Sequence, residues 1–396
     1  MNLIVYISDA LRSDHLGCYG ARFVRTPTID EFAQGGVRFA HAFAPGPWTC
    51  PSTASMITGL DPHRHGYLHW DSVLDPGLPT LFSVTAAYGY DTGSFVFDET
   101  YLFKGLDDAN VVGTTESLDG VVDWLRAHRE RPFCLWVHSW ATHMYTEDDD
   151  GRPLEGLEAK NRIIAAIQSD SASALEEVHD AYRRSVEHQS EVLFASLLET
   201  LDDLGLREQT AVVFASDHGE SWGERFADKT DVKGAYHMHG ALLYDEHVDV
   251  PLIISAPGAL DPATVSAQVS LVDLAPTLLE LAGAPIDGLD GRSLIPLADG
   301  REQADRRAVM VATDKGVISR FALRRPPWKL IHTLATGEDE VYRIDLDPRE
   351  QQSVPEALPA TLRDELEFEL ASIPRESLSA EEEAIVEARL AALGYL

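Results

Sequence analysis

Two stretches decide the fold: Leu3-Ile4-Val5-Tyr6-Ile7-Ser8-Asp9 at the start, and Ala211-Val212-Val213-Phe214-Ala215-Ser216-Asp217-His218 further on. Each is a short apolar run, which predicts a strand buried on both faces. Each run leads into a carboxylate. In a parallel sheet the carboxyl ends of the strands share one edge, and ligands bind there. Asp9 and Asp217 are therefore expected to converge although they lie far apart in sequence. Carboxylates brought together need a cation or a shared proton, and His218 adds a nitrogen ligand. The residues alone leave two readings open. Asp9, Asp217 and His218 form a metal site, or the two aspartates cap neighbouring loops or helices.

Outward from these runs, 37–43, 133–137 and 251–255 read as further strands. Helical spacing runs over 27–32, 118–129, 174–204 and 271–282, with Gly35-Gly36, Gly205 and Gly283 as stops. Alternating strands and helices predict an α/β fold, a mostly parallel central sheet with helices on both faces. The tail differs. Segments 322–333 and 340–345 alternate and flank Gly337, the pattern of an antiparallel hairpin, and helices are expected near 362–371 and 380–392. The division is a catalytic domain over 1–300 and a small C-terminal subdomain over 301–396, with antiparallel strands and two helices. The acidic stretch 146–180 reads as an exposed insertion beside the site. No internal repeat is visible.

The 396 residues are 44% hydrophobic and 24% charged, a globular composition. No run of 18 apolar residues exists, so no transmembrane segment is predicted. The start lacks a basic n-region and a small-residue cleavage site, which makes the cytoplasm the expected location. Cys18, Cys50 and Cys134 give neither a disulfide framework nor zinc-type spacing. The formal net charge is −33, from 65 acidic against 32 basic residues, of which only six are Lys. Such a surface repels itself at low salt and is tolerated when salt screens it, which points to a halophilic, high-salt setting. Nucleic acid is excluded as a partner, because no basic stripe exists to neutralise phosphates.

A third segment carries a nucleophile candidate: Trp48-Thr49-Cys50-Pro51-Ser52-Thr53-Ala54-Ser55-Met56. Pro51 suits the first helical position. Thr49 or Cys50 then sits at a helix start, whose N–H groups and dipole favour an anion. A hydroxyl there becomes a nucleophile if a metal lowers its pKa. It is otherwise a helix cap.

Nearly the whole chain resembles the sulfatase branch of the alkaline-phosphatase superfamily. The resemblance is carried by the block from Asp9 to Gly20 and by Thr26-Pro27-Thr28-Ile29-Asp30. Thr58-Gly59 with His63-Arg64-His65-Gly66, and Ser216-Asp217-His218-Gly219-Glu220, also belong to it. His239-Gly240, Tyr244-Asp245-Glu246, Val250-Pro251-Leu252-Ile253-Ile254, Asp273-Leu274-Ala275-Pro276-Thr277 and Leu393-Gly394-Tyr395 complete the order. True sulfatases place a Cys or Ser, matured to formylglycine, where this chain has Thr49. Oxidised Thr would be a ketone, not the aldehyde. Thr53 stands at the family's Arg position and Cys50 is one residue out of register. Ala10 replaces the second opening aspartate, and Gly93-Ser94-Phe95-Val96-Phe97 lacks the sulfate-clamping Lys and His.

These departures are similar to superfamily phosphodiesterases, phosphomutases and phosphoglycerol transferases that use Thr. The resemblance implies one divalent metal held by Asp9, Thr49, Asp217 and His218. Ala141 sits where a further Asp ligand would be, and the donor set favours Mn, Mg or Zn over Ca. It implies Thr49 as nucleophile, and His239 or His143 as proton donor or oxygen ligand. Arg12 is a candidate for anion contact, and Trp48 and Trp140 for pocket walls. His63 and His65 are expected to shape the loop after the nucleophile, Asp14 and His15 to brace the first loop, and His138 to face the core. The substrate class is a small-molecule, glycan-linked or lipid-linked anionic ester, hydrolysed or transferred, with phosphate-type esters preferred. A genuine sulfatase with an unmodified hydroxyl, and a non-catalytic metal-stabilised binding protein, are the competing readings.

Overall fold

The computed structural model describes residues 1–69, 72–96, 110–113, 118–143, 145, 156–169, 171–222, 239–302, 309–314, 319–334 and 336–371. Among them, eight strands form the central sheet: β1 (Asn2–Ser8), β2 (Val37–Phe43), β3 (Asp91–Phe95), β4 (Val111–Gly113), β5 (Phe133–Ser139), β6 (Thr210–Ala215), β7 (Asp249–Ser255) and β8 (Ala263–Ser270). Their spatial order is β4-β3-β5-β1-β6-β7-β2-β8. Pairing is parallel throughout except at β7, which runs antiparallel to both β6 and β2. The central strands β5, β1 and β6 are buried along their whole length. That is why they read as continuous apolar runs and not as alternating ones.

Side chains of these three strands divide between two cores. Leu3, Val5, Ile7, Cys134, Trp136, Ala211, Val213 and Ala215 face one. The helices Thr49–Thr58, Leu81–Ala87 and Leu274–Ala282 pack on that side. Ile4, Tyr6, Leu135, Val137, Val212 and Phe214 face the other, against the helices Pro27–Gln34, Asp119–His128 and Ala172–His188. Each Val, Leu, Ile or Phe removed from water here contributes about 1.5–3 kcal/mol. The expected α/β architecture, a mostly parallel sheet with helices on both faces, is what the chain adopts.

Four further strands, β9 (Val309–Asp314), β10 (Ser319–Arg325), β11 (Trp328–Thr333) and β12 (Glu338–Arg343), form a separate antiparallel sheet in the order β12-β11-β10-β9. One face joins the central core through Val311, Ala322 and Ile331. The other is covered by the helix Ala360–Ala371, whose Leu362, Leu366 and Leu370 recur at intervals of four.

Three readings need correction. The stretch 322–333 is not one arm of a hairpin: it holds parts of two strands, because Pro326-Pro327 turns the chain between Arg325 and Trp328. The long helix over 174–204 is interrupted by a π-helical segment, Gln189–Phe194, which directs Gln189 to the Tyr6 hydroxyl at 2.7 Å and to Ser139 Oγ at 2.8 Å. Residues 156–168, expected in an exposed insertion, form a helix whose Ile163, Ala166 and Ile167 are buried. Segments 146–155 and 223–238, Phe97, the helix expected at 380–392 and the ending Leu393-Gly394-Tyr395 lie outside the described residues. No described helix is long and apolar enough to cross a membrane.

A buried cation ties the second sheet to the first. Lys329 Nζ, fully buried on β11, lies 2.7 Å from Asp245 Oδ1 and 2.7 Å from Glu350 Oε1. Arg324 Nη2 approaches Asp245 Oδ2 at 3.0 Å. Removing one member of a buried ion cluster strands the others in a low dielectric. Lys329→Met is expected to lose about 3–5 kcal/mol of stability in urea unfolding. Arg126→Ala, which breaks only the exposed pair with Asp123, should lose less than about 1 kcal/mol.

Candidate active site

Strand register builds the site. Ile7 of β1 lies level with His138 of β5 and with Ala215 of β6. Side chains level across a sheet share a face, and positions two apart on one strand share it too. His138 therefore sits on the face that carries Ile7 and Ala215, one step beneath Asp9 and Asp217. After Asp9 the chain turns sharply through Ala10, which takes a left-handed φ of 58°. The Ala10 N–H donates to Asp217 Oδ1 at 3.2 Å, and the Leu11 N–H donates to Ser216 Oγ at 2.8 Å. The turn after β6 needs a glycine: a Cβ on Gly219 would lie 2.2 Å from the Glu246 carbonyl oxygen. Asp217 is thus held by backbone and does cap a turn with one oxygen.

The other oxygens face each other. Asp9, Asp217 and His218 place one ligand atom each within 4.8 Å of the others, and all three residues are buried. His218 Nε2 stands 3.4 Å from Asp9 Oδ1 and 3.6 Å from Asp217 Oδ2. His138 Nε2 stands 3.2 Å from Asp9 Oδ2 and 3.6 Å from Asp217 Oδ2. His218 Nδ1 lies 2.8 Å from the Gly219 carbonyl oxygen. A carbonyl only accepts, so Nδ1 carries a proton and the ring turns Nε2 toward the carboxylates.

Electrostatics follow from this crowding. Burial and the Asp9 charge together hold the Asp217 carboxyl above the usual carboxylate range. Burial also raises Asp9, but His143, His138 and His218 outweigh it and keep that carboxyl well below the range. Burial disfavours a charged His218, yet Asp217 and Asp9 raise it to about 9. Protons on imidazole thus balance the carboxylates. Asp9 Oδ1 and Asp217 Oδ2 are buried and accept no hydrogen bond among the described residues. Buried acceptors without donors are rare and ask for a partner. Two carboxylates, an imidazole and an adjacent hydroxyl fit a divalent cation in that role.

The hydroxyl comes from Thr49, the first residue of a helix buried at every position. Thr49 Oγ1 lies 3.4 Å from Asp9 Oδ2 and 3.3 Å from His218 Nε2. Pro51 falls in the first turn, where its missing N–H breaks no helical bond. His65 braces this helix from the side. Its Nδ1 accepts from the Tyr67 N–H at 3.0 Å, so Nε2 donates to Ser55 Oγ at 2.9 Å. Burial, with His63 beside it, pushes His65 down to about 3 and keeps it neutral. His63 reaches Glu369 of the C-terminal helix at 3.2 Å.

Two half-buried histidines border the cluster. The His239 ring lies 4.7 Å from that of His218 and 5.0 Å from that of His143, and its Nδ1 is 3.3 Å from Glu220 Oε1. His143 stacks on Trp140 at 4.8 Å. The two residues expected as substrate contacts are otherwise engaged. Arg12 is committed through Nε at 3.0 Å and Nη2 at 2.8 Å to Asp14, and through Nη1 at 3.1 Å to the Glu220 carbonyl. Its charge is answered within its own loop. Trp48 is 1% exposed and packs in the apolar core, so it forms no open wall. Conversely, His138 and Glu220 join the site although neither was selected from sequence. The parity of β5 is the signal that would have found His138.

Known proteins resemble this chain in sequence and in fold. The family model described as "Sulfatase" matches residues 1–284, and the one described as "N-sulphoglucosamine sulphohydrolase, C-terminal" matches 236–375. Arylsulfatase K of Canis lupus familiaris is 25% identical over 363 residues, 75% of this chain and 66% of that protein. The chain thus spans about two thirds of that relative's length. A protein solved in complex with its substrate D-glucosamine-2-N,6-O-disulfate superposes with a TM-score of 0.69 at 21% identity, covering 94% of this chain and 98% of the other. The phosphonate monoester hydrolase of Agrobacterium radiobacter superposes with a TM-score of 0.68 at 20% identity, covering 95% and 96%.

Asp217→Asn keeps the oxygen that caps the Ala10 turn and removes the charge facing Asp9. In thermal unfolding with a chelator the variant should be at least as stable as wild type. Added Mn²⁺ should raise the wild-type Tm by several degrees through binding to the native state and leave the variant unmoved.

Proposed function

The chain belongs to the sulfatase family, and on that premise we propose that it cleaves or transfers a phosphate-type ester through Thr49, with one divalent cation held by Asp9, Thr49, Asp217 and His218. The observation that carries this reading is the Thr49 hydroxyl, 3.4 Å from Asp9 and 3.3 Å from His218 at the head of a buried helix. A divalent cation bound there supplies Lewis-acid polarisation of an ester oxygen and lowers the pKa of a neighbouring hydroxyl. The mixed carboxylate, hydroxyl and imidazole donors favour Mn, Mg or Zn over Ca.

Thr49 Oγ forms the new bond to phosphorus and gives up its proton to solvent. The bond from phosphorus to the leaving oxygen breaks in line, and His143 or His239 donates a proton to that oxygen. The start of the Thr49–Thr58 helix faces the developing negative charge. Water or an acceptor alcohol then attacks phosphorus, and Thr49 Oγ leaves and regains its proton. Phosphorus is favoured over sulfur because this second attack releases an unmodified hydroxyl. A threonine, unlike a formyl hydrate, carries no second hydroxyl to expel sulfate.

A sulfate ester is the second reading, supported by the sulfatase family match and by the arylsulfatase relative. Turnover of a phosphodiester, a phosphomonoester and an aryl sulfate separates the two. Phosphoester turnover should fall about a thousandfold or more in Thr49→Ala with the Tm unchanged. Mass spectrometry of quenched wild type should map a phosphoryl adduct to the peptide carrying Thr49. Faster aryl sulfate turnover would hand the site to the second reading.

The net charge of −33 repels an anionic substrate at low ionic strength. Screening shortens that field to about 3 Å at molar salt. The kcat/KM for an anionic ester should therefore climb steeply from low to molar salt. A flat profile would remove the high-salt reading.

A further inference from the structure

We propose that Glu369 is a positioning residue for the Thr49–Thr58 helix, acting through His63 and His65, so that the C-terminal subdomain tunes the reaction without touching substrate. The inference rests on the reading of Thr49 as nucleophile. Three links in series join the two. Glu369 Oε2, on the helix Ala360–Ala371, lies 3.2 Å from the buried His63 Nε2. His63 belongs to a single helical turn, Pro62–His65, which also carries His65. His65 Nε2 donates to Ser55 Oγ at 2.9 Å, within the helix that Thr49 begins.

The linking turn is held on several sides. The Asp61 N–H donates to Asp290 Oδ2 at 3.0 Å, and Arg64 pairs with Asp290 Oδ1. The Tyr67 N–H fixes His65 Nδ1 at 3.0 Å. Leu68 joins the same apolar core as Leu362, Leu366 and Leu370 of the C-terminal helix. A shift of that helix is therefore passed on to the flank of the Thr49–Thr58 helix and not absorbed in a loose loop. That helix is buried at every position, so it moves as a body. Misplacing a reacting group by about 1 Å costs up to about a hundredfold in rate. Glu369 itself keeps 31% of its side chain exposed, so truncating it opens no core cavity. Arg325 still pairs with Glu365, one turn earlier, and keeps the C-terminal helix tied to β10.

The test uses the full chain with Mn²⁺ and a chromogenic phosphodiester. Glu369→Ala should lower kcat about 2- to 30-fold, the scale of coupling through packed side chains. KM and the rise in Tm on adding Mn²⁺ should stay as in wild type. Glu369→Gln keeps the side-chain length and an acceptor oxygen, and should recover most of the loss. Hydrogen exchange read by mass spectrometry should quicken in the peptide spanning 49–58 in Glu369→Ala, with the peptides of β1 and β6 unchanged. A kcat equal to wild type in Glu369→Ala would overturn the proposal and leave Glu369 as a contact that only stabilises. Unchanged exchange over 49–58 would overturn it as well, since the contact would not reach the helix. Should Glu369→Ala not fold, His63→Asn cuts the same path and is read by the same two measurements. Thr49→Ala separates the underlying reading. Turnover that survives there removes Thr49 as nucleophile, while the exchange measurement still decides whether Glu369 holds the helix.

Discussion

Two carboxylates that cannot both stay charged in a dry interior set the terms for the rest of this molecule. Asp9 and Asp217 are placed side by side by adjacent parallel strands, and both are fully buried. Their repulsion at low dielectric amounts to several kcal/mol, and the sheet register leaves neither free to turn away. The surroundings answer it with three imidazoles, from His138, His143 and His218. Burial alone would drive protons onto the carboxylates. The histidines keep Asp9 ionised and let Asp217 rise. That is a site prepared for positive charge, whether proton or metal.

Much of the neighbouring structure holds this arrangement still. Thr142 Oγ1 donates to the Asp9 carbonyl at 2.5 Å, Ser8 Oγ pairs with Thr142 at 2.8 Å, and the Asp9 N–H continues the β1–β5 ladder to the Ser139 carbonyl at 2.9 Å. Tyr182 donates to the Ala10 carbonyl at 2.8 Å, on the strained turn. The π-helical segment sends Gln189 between Tyr6 and Ser139, under the same strand ends. Such segments recur near functional sites because an extra residue redirects one side chain. Here it supplies a polar anchor where a regular helix would present an apolar face.

The sequence made the sheet legible because buried parallel strands need unbroken apolar runs, and 3–8, 133–137 and 211–215 have them. The convergence of Asp9, Asp217 and His218 was legible for the same reason, since strand ends share an edge. Several details were not read. His138 was placed by composition, as a histidine in an apolar strand, when its parity with Ile7 puts it under Asp9. Arg12 is a candidate for anion contact by sequence, but Asp14 two residues on takes its guanidinium. Trp48 was judged by residue type, and the adjoining helix buries it. Ile163, Ala166 and Ile167 carried a helical period inside a polar stretch, which the acidic composition around them masked. The π-helical break left no sequence signal, because it depends on Gln189 finding partners in another element.

The field of the whole protein and the field of the site oppose each other. With −33 formal charges, the surface repels the anion that the family's chemistry handles. Long-range repulsion decays over about a Debye length, roughly 8 Å at physiological ionic strength. The imidazoles and the head of the Thr49–Thr58 helix act within contact distance and inside the low-dielectric cluster, where salt screens them little. Salt therefore removes the barrier to approach without weakening the grip at the end of it. On the proposed reading, an anionic ester would be held over its last few ångströms of travel, by the strand ends and not by the surface.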